Sequence, residues 1–256
     1  MKHVGLALIT GASSGIGAAF ARQLAREGWD VALVARRGDR LEALAVELRA
    51  QHGIEALPIA ADLSAAGAVR DVLEKIGARP IDLIVNNAGF TIPDRYADSD
   101  WATQRALLMT MVMAVAELTH AVLPGMIARK GGRIITISSI LALSQGGPGH
   151  TLYPAVKSFA HKFMLSLDAE VRAQGILCTS VLPGSTASEF RAASGIGDIG
   201  GLADAFVTTP ESVARAALAG NAAGRLIVIP GLPNQIAALA IKIAPDALIR
   251  WAGRRS

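Results

Sequence analysis

Apolar residues fall in blocks along this chain, and the blocks alternate between two periods. Short, almost unbroken runs stand at Leu6–Ile9, Trp29–Ala35, Ile54–Ala60, Ile81–Val85, Arg133–Ser139, Ile176–Leu182 and Arg225–Ile229. Their length and their Val, Leu and Ile content predict strands buried on both faces. Between the runs, apolar residues recur every three or four positions. Ala18, Ala19, Phe20 and Leu24 do so after the first run, and Leu41, Leu44, Ala45 and Leu48 do so within Asp39–Gln51. These are the inner faces of helices. Further helices are expected over Ala65–Ile76 with Ser64 as N-cap, over Asp100–Ala128 in one or two pieces, and over Leu152–Gln174. Another starts at Thr209, with Pro210 in its first turn. The tail, about 234–251, reads as an amphipathic helix with Lys242 and Arg250 on its polar side. Strand and helix alternate throughout. The fold class is therefore α/β, a three-layer doubly wound parallel sheet of about seven strands with helices on both faces.

No repeat, linker or second domain interrupts this order, so residues 1–256 read as one domain. Two segments lack periodicity. Ser144–Gly149 is a glycine-rich loop, and Ser185–Val207, with its many small residues, is expected to form a substrate lid. The stretch Leu107–Leu123, which includes Met109, Met111 and Met113, is apolar nearly all round. Such a helix is buried on both sides, in the core or at a subunit interface.

Composition narrows the class. Hydrophobic residues make up 52% of the chain but aromatics only 4%, so the core is built from Ala, Val, Leu and Ile. The net charge of +4 suits an anionic cofactor. Basic residues are scattered except at Arg36-Arg37 and Arg254-Arg255, and no basic stripe with interleaved aromatics marks a nucleic-acid binder. The single cysteine, Cys178, has no internal disulfide partner and lies in an apolar run, as a small core residue would. No cluster of residues asks for a metal. No signal peptide precedes the first strand and no uninterrupted apolar run reaches membrane-spanning length, so a cytoplasmic protein without a membrane span is expected.

The first strand runs into Thr10-Gly11-Ala12-Ser13-Ser14-Gly15-Ile16-Gly17, and a helix follows at once. Glycines in such a turn let backbone approach a phosphate, and the N–H groups and dipole of the helix start favour an anion. The same residues match G-x-S-x-G, the nucleophile elbow of hydrolases. That elbow needs a sheet already built around it, and only one strand precedes Ser13. His120, His150 and His161 offer no late acid–histidine pair either.

The chain closely resembles the short-chain dehydrogenase/reductase family over about Val4–Val228. The features that carry the resemblance are Thr10-Gly-x-x-x-Gly-x-Gly17, Asp62, Asn86-Asn87-Ala88-Gly89, Ser138-Ser139, Tyr153-x-x-x-Lys157 and Pro183-Gly184, in that order. The resemblance implies a Rossmann fold and a hydride transfer with NAD(P). Tyr153 would exchange a proton with the substrate oxygen, and Lys157, one helical turn on, would stabilise its phenolate. Ser139 would hydrogen-bond the same oxygen. It lies one residue further from Tyr153 than is usual in the family, and Ser138 is the competing choice. His150 is expected to be a loop residue.

The cofactor would lie against Gly11, Ser13, Ser14, Gly15, Ile16 and Gly17, with Asp62 and Leu63 at the adenine. Asn87, Ala88 and Gly89 would border its ribose, and Pro183, Gly184 and Thr186 the nicotinamide amide. Tyr153 and Lys157 would also touch it. Family members that use NAD carry an acid at the end of the second strand, whereas this chain has Ala35 and then Arg36. NADP (NADPH) is therefore expected over NAD, with Arg36 on the 2′-phosphate and Arg37 beside it at the cofactor; the alternative is a solvated pair, with Arg37 the bystander before Arg36.

The departure from the family is Met111, which stands where an asparagine is thought to hold a proton-relay water. Phe90, Phe190, Ile196, Leu202 and Phe206 predict an apolar carbonyl or alcohol substrate. Fatty-acyl, steroid and xenobiotic carbonyls all stay open. Leu107–Leu123 and the helix from Tyr153 resemble the pair that builds homodimers and homotetramers in the family. The rival reading is an NADP-binding sensor without turnover. A third is a peripheral membrane protein, from the basic amphipathic tail.

Overall fold

Among the residues described by the computed structural model, 4–144, 152–186 and 207–243, seven strands form a single sheet. They are β1 (Leu6–Thr10), β2 (Asp30–Ala35), β3 (Ala56–Ala60), β4 (Leu83–Asn86), β5 (Gly132–Ile137), β6 (Ile176–Val181) and β7 (Ile227–Val228). Their order is β3-β2-β1-β4-β5-β6-β7, and every pair is parallel. The chain winds outward from β1 to β3, returns, and winds the other way from β4. The order reverses between β1 and β4, and at such a point loops diverge above the carboxyl edge and leave a crevice. Pro58 sits opposite Leu33 inside β3. Because β3 is an edge strand, the missing N–H costs no ladder bond on its outer side.

Alternation along the strands divides the core in two. Ile9, Leu33 and Val85 meet α1 (Gly15–Arg26), α2 (Gly38–His52) and α7 (Pro210–Ala222) on one face. Leu8, Ile84 and Ile134 meet α3 (Ala68–Ile76), α5 (Ala114–Ala128) and α6 (Leu152–Val171) on the other. The long helix expected over Asp100–Ala128 is α4 (Trp101–Leu108), a π turn over Met109–Met113, and α5. Asp100 caps it, accepting from the Thr103 N–H at 2.8 Å. By length and composition alone Trp101–Ala128 could cross a bilayer, but here it packs on α3, β5 and α6.

Two boundaries differ from expectation. Ser64 is not an N-cap, because α3 begins at Ala68 behind Gly67, whose φ is 78°. The Ser64 N–H and hydroxyl both donate to Asp62 Oδ1, at 2.9 and 2.7 Å, so a local turn takes the group that would have capped the helix. The last helix, α8 (Leu232–Ile243), starts two residues earlier than 234. Residues 244–251 of that expected helix, 187–206 of the expected lid and most of the 144–149 loop lie outside the described residues.

Candidate active site

The cofactor side of the site is built on the turn between β1 and α1. Gly11 has a φ of 69°, and a Cβ on Gly17 would lie 2.2 Å from the Gly11 carbonyl oxygen, so neither position tolerates a side chain. The Ser14 side chain makes no capping bond to α1, which leaves the first N–H groups of the helix for an anion. Thr10 locks this turn to the β4 loop. Its hydroxyl accepts from the N–H groups of Asn87 and Ala88 at 2.9 and 3.0 Å and donates to the Val85 carbonyl at 3.3 Å. The Asn87 amide in return donates to the carbonyls of Thr10 and Gly11. Asn87 and Ala88 thus brace the glycine turn from the far side of the switch point.

Arg36 and Arg37 leave the end of β2 in different directions. Arg36 is exposed; the Ser64 hydrogen bonds hold the Asp62 carboxyl below its ordinary value, and the Arg36 charge adds a smaller push in the same direction. The Arg37 guanidinium donates to the Ser13 hydroxyl at 3.1 Å and to the Ser14 hydroxyl at 2.7 Å. Arg37 is therefore held on the glycine turn and not left to solvent, the alternative reading of the pair. It places a cation directly over the glycine turn, beside Ala35, where no carboxylate competes for a ribose. Arg37, Ser13 and Ser14 together fit a nucleotide phosphate.

The catalytic candidates converge at the end of β5. The Ser139 hydroxyl is hydrogen-bonded to the Tyr153 hydroxyl and accepts from the Leu141 N–H at 3.2 Å. Ser138 points the other way. It is 1% exposed and donates to the Lys157 carbonyl at 2.7 Å, which ties α6 to β5. The geometry separates the two serines: Ser139 faces the tyrosine and Ser138 is scaffolding. Lys157 lies under the Tyr153 ring, 5.5 Å from its centroid, and donates to the Ile137 carbonyl at 2.8 Å.

Burial dominates both titrations. It pushes the Lys157 ammonium down to about 8 and the Tyr153 phenol upward, with only the Ser139 hydrogen bond opposing. The expected lowering of Tyr153 by Lys157 is absent here, because the ammonium points at a backbone carbonyl and lies against the ring.

Pro183 and Gly184 follow β6, and the Pro183 carbonyl accepts from Ile140 N–H at 3.0 Å. Thr186 pairs with Thr208 across the start of the expected lid, hydroxyl to hydroxyl at 3.2 Å. Leu63 is buried under α3, and Gly89 lies against Met111. His150 falls outside the described residues. A small cavity beside Tyr153 is lined by Ile92, Asp94, Tyr96, Gln104, Leu107 and Leu152. Gln104 is a residue that the sequence motifs do not reveal. It is 4% exposed, its amide nitrogen donates to the Ser99 hydroxyl, and its Oε1 has no partner among the described residues. Between Thr103 and Arg105 nothing in the sequence sets it apart, and only the fold buries it.

Comparisons with known proteins bear on the family and the fold. A family model described as short chain dehydrogenase matches residues 5–197. The chain is 39% identical over 194 residues to a short chain dehydrogenase of Pseudocercospora fijiensis, covering 73% of this chain and 61% of that one. It is 37% identical over 193 residues to serine 3-dehydrogenase of Agrobacterium fabrum, covering 73% and 74%. It therefore spans less than two thirds of the length of some relatives. A solved short-chain dehydrogenase from Sphingobium yanoikuyae, in complex with NADPH, superposes with a TM-score of 0.83 at 32% identity over 92% of each chain.

Proposed function

This chain belongs to the short-chain dehydrogenase family, and on that premise we propose that it reduces an apolar ketone or aldehyde with NADPH, or runs the reverse oxidation. The observation that carries the reading is the Ser139–Tyr153 hydrogen bond above Lys157. NADPH supplies the hydride when bound. Tyr153, held as the phenol by burial, gives its proton to the carbonyl oxygen. Ser139 orients that oxygen and donates to the charge that develops on it. Lys157 holds a cation beneath the ring that loses the proton. Arg37, with Ser13 and Ser14, supports NADP over NAD, and Arg36 extends the same positive edge. Phe90, Ile92, Leu107 and Leu152 beside Tyr153 support an apolar substrate.

We also read the protein as a cytoplasmic homodimer or homotetramer. Trp101, Met113 and Ile127 expose apolar surface along α4 and α5, which a second copy would cover.

The test is NADPH oxidation against a panel of ketones and aldehydes. Wild type is expected to turn over at least one apolar carbonyl. Tyr153→Phe is expected to lose that turnover while binding NADPH within roughly twofold of wild type, since the phenol acts on substrate oxygen. Saturable NADPH binding without turnover on any carbonyl would favour a sensor instead.

A further inference from the structure

The cavity beside Tyr153 has an apolar wall with one exception. Ile92, Leu107 and Leu152 are apolar, and Asp94 and Tyr96 are exposed. Apart from Tyr153 itself, only Gln104 brings a polar group to the buried part of that wall.

The Gln104 amide has a fixed direction. Its Nε2 donates to the Ser99 hydroxyl at 2.5 Å. That hydroxyl gives its own proton to the Tyr96 carbonyl at 3.2 Å, so toward the glutamine it can only accept. Ser99 is itself held, since its N–H donates to the Arg95 carbonyl at 3.2 Å. An amide turned end for end would set oxygen against oxygen with no proton between them. Nε2 therefore stays with Ser99, and Oε1 is the atom left for the cavity. It is buried and has no partner among the described residues.

A buried carbonyl oxygen without a donor is costly, and native structures pair such groups. A ligand that fills the cavity displaces solvent from it. That ligand must then bring a donor or leave Oε1 bare. The surroundings say which donor. An amide oxygen is a neutral acceptor, and Ile92, Leu107 and Leu152 offer no counter-charge to an ion buried among them. Asp94, the one charged group lining this cavity, is exposed. A neutral hydroxyl fits the buried end.

We propose that Gln104 sets the substrate class of the candidate active site. The substrate is a carbonyl compound that is apolar apart from a hydroxyl, which donates to Gln104 Oε1 while the carbonyl oxygen meets Tyr153 and Ser139. This rests on the reading of the site as a carbonyl reductase. Gln104 is a specificity residue, which holds the substrate away from the reacting carbon and moves no proton or hydride. An analogue without the hydroxyl leaves the acceptor unpaired, and sites built in this way reject such analogues.

The probes are acetophenone, its 3′- and 4′-hydroxy derivatives and the two matching methoxy ketones, which have no proton to give. They are titrated at neutral pH against the full-length protein saturated with oxidised NADP. That complex holds no hydride, so binding is read without turnover. Wild type is expected to bind one of the hydroxy ketones roughly tenfold tighter than its methoxy counterpart and than acetophenone. Gln104→Leu is expected to lose that preference, with NADP affinity within roughly twofold of wild type as the check on folding. Gln104→Glu keeps an acceptor and is expected to keep the preference. Ser99→Ala frees the amide to turn and is expected to reduce it roughly threefold. A wild type that binds the hydroxy and methoxy ketones alike, or binds none of the five, overturns the proposal. So does a Gln104→Leu variant that keeps the preference, or an Asp94→Asn variant that loses it instead. Turnover with NADPH is measured in parallel. A wild type that reduces none of the ketones yet shows the preference removes the reductase reading, while the donor site at Gln104 stands.

Discussion

Met111 lies across Gly89, so that a Cβ on Gly89 would sit 3.1 Å from the methionine methyl and 3.2 Å from its sulfur. The methionine is 3% exposed, inside the π turn, in an apolar cluster with Ile92, Leu107 and Val156 against which Tyr153 packs. Turns widened in this way recur at functional sites. A thioether accepts hydrogen bonds weakly and donates none, so it holds no relay water as an amide would. Met111→Asn is expected to raise kcat several-fold while cofactor affinity stays constant. It should also cost about 1–3 kcal/mol of stability, because an amide replaces an apolar group in an apolar cluster. Steady-state turnover with a solvent isotope comparison, together with thermal unfolding, checks both. A folded variant no faster than wild type would show that this position does not limit the rate.

Arg37, not Arg36, touches the glycine turn. Arg37→Ala is expected to weaken NADPH binding by about ten- to a hundredfold, the loss of one charge-assisted pair, and to leave NADH nearly unchanged. Arg36→Asp places an acid next to Ala35 and should favour NADH. Titrations of both cofactors on both variants give the ratios. A wild-type ratio in Arg37→Ala would remove it as the discriminator.

Lys157 makes stability depend on pH in a known direction. The folded chain releases its proton near 8, whereas the ordinary lysine value is 10.5. Between these values the native state binds fewer protons than the unfolded state, so the contribution grows as pH rises and is lost as pH falls through about 8. Over the full window it amounts to roughly 3 kcal/mol. Cys178, pushed by burial from 9.0 up to about 12, acts in the opposite sense above 9, and Tyr153 does so above 10. The clean interval is therefore pH 8 to 9. Denaturant unfolding of the cofactor-free protein is expected to show stability rising there, with the rise absent in Lys157→Met. The raised Tyr153 also predicts that alcohol oxidation, which needs the phenolate, climbs with alkaline pH while carbonyl reduction does not.

Beside the Tyr153 cavity, Gln104 carries a buried acceptor with no partner among the described residues. Gln104→Leu removes that orphan and is expected to leave stability unchanged or improved by up to about 1 kcal/mol. For carbonyl substrates that carry a hydroxyl, KM should rise with kcat little changed. For substrates without one, neither should move. A uniform loss across both classes would mean that Gln104 only shapes the α4 start.

Much of the candidate site could be assembled from the sequence because its proposed chemistry is local in the chain. Tyr153 and Lys157 are one helical turn apart, and the glycines stand between a strand and a helix. Both relations survive any tertiary arrangement that keeps those elements. The choice between Ser138 and Ser139 was not legible. Adjacent residues at a strand end point to opposite sides, and only the docking of α6 says which side holds the tyrosine. The different directions in which Arg36 and Arg37 leave β2 were hidden for the same reason.

By itself the sequence determined the order of strands and helices, the parallel sheet, and the family, since periodicity and motif spacing are properties of the chain alone. The tertiary structure decided what depends on contacts distant in sequence. Thr10 became the hub that joins the β1 turn to Asn87 and Ala88 across the switch point. Lys157 was turned toward the Ile137 carbonyl, with burial raising the Tyr153 phenol that a neighbouring cation was expected to lower. Desolvation is set by everything packed around a group. No stretch of sequence contains that sum, and only the folded core fixes it.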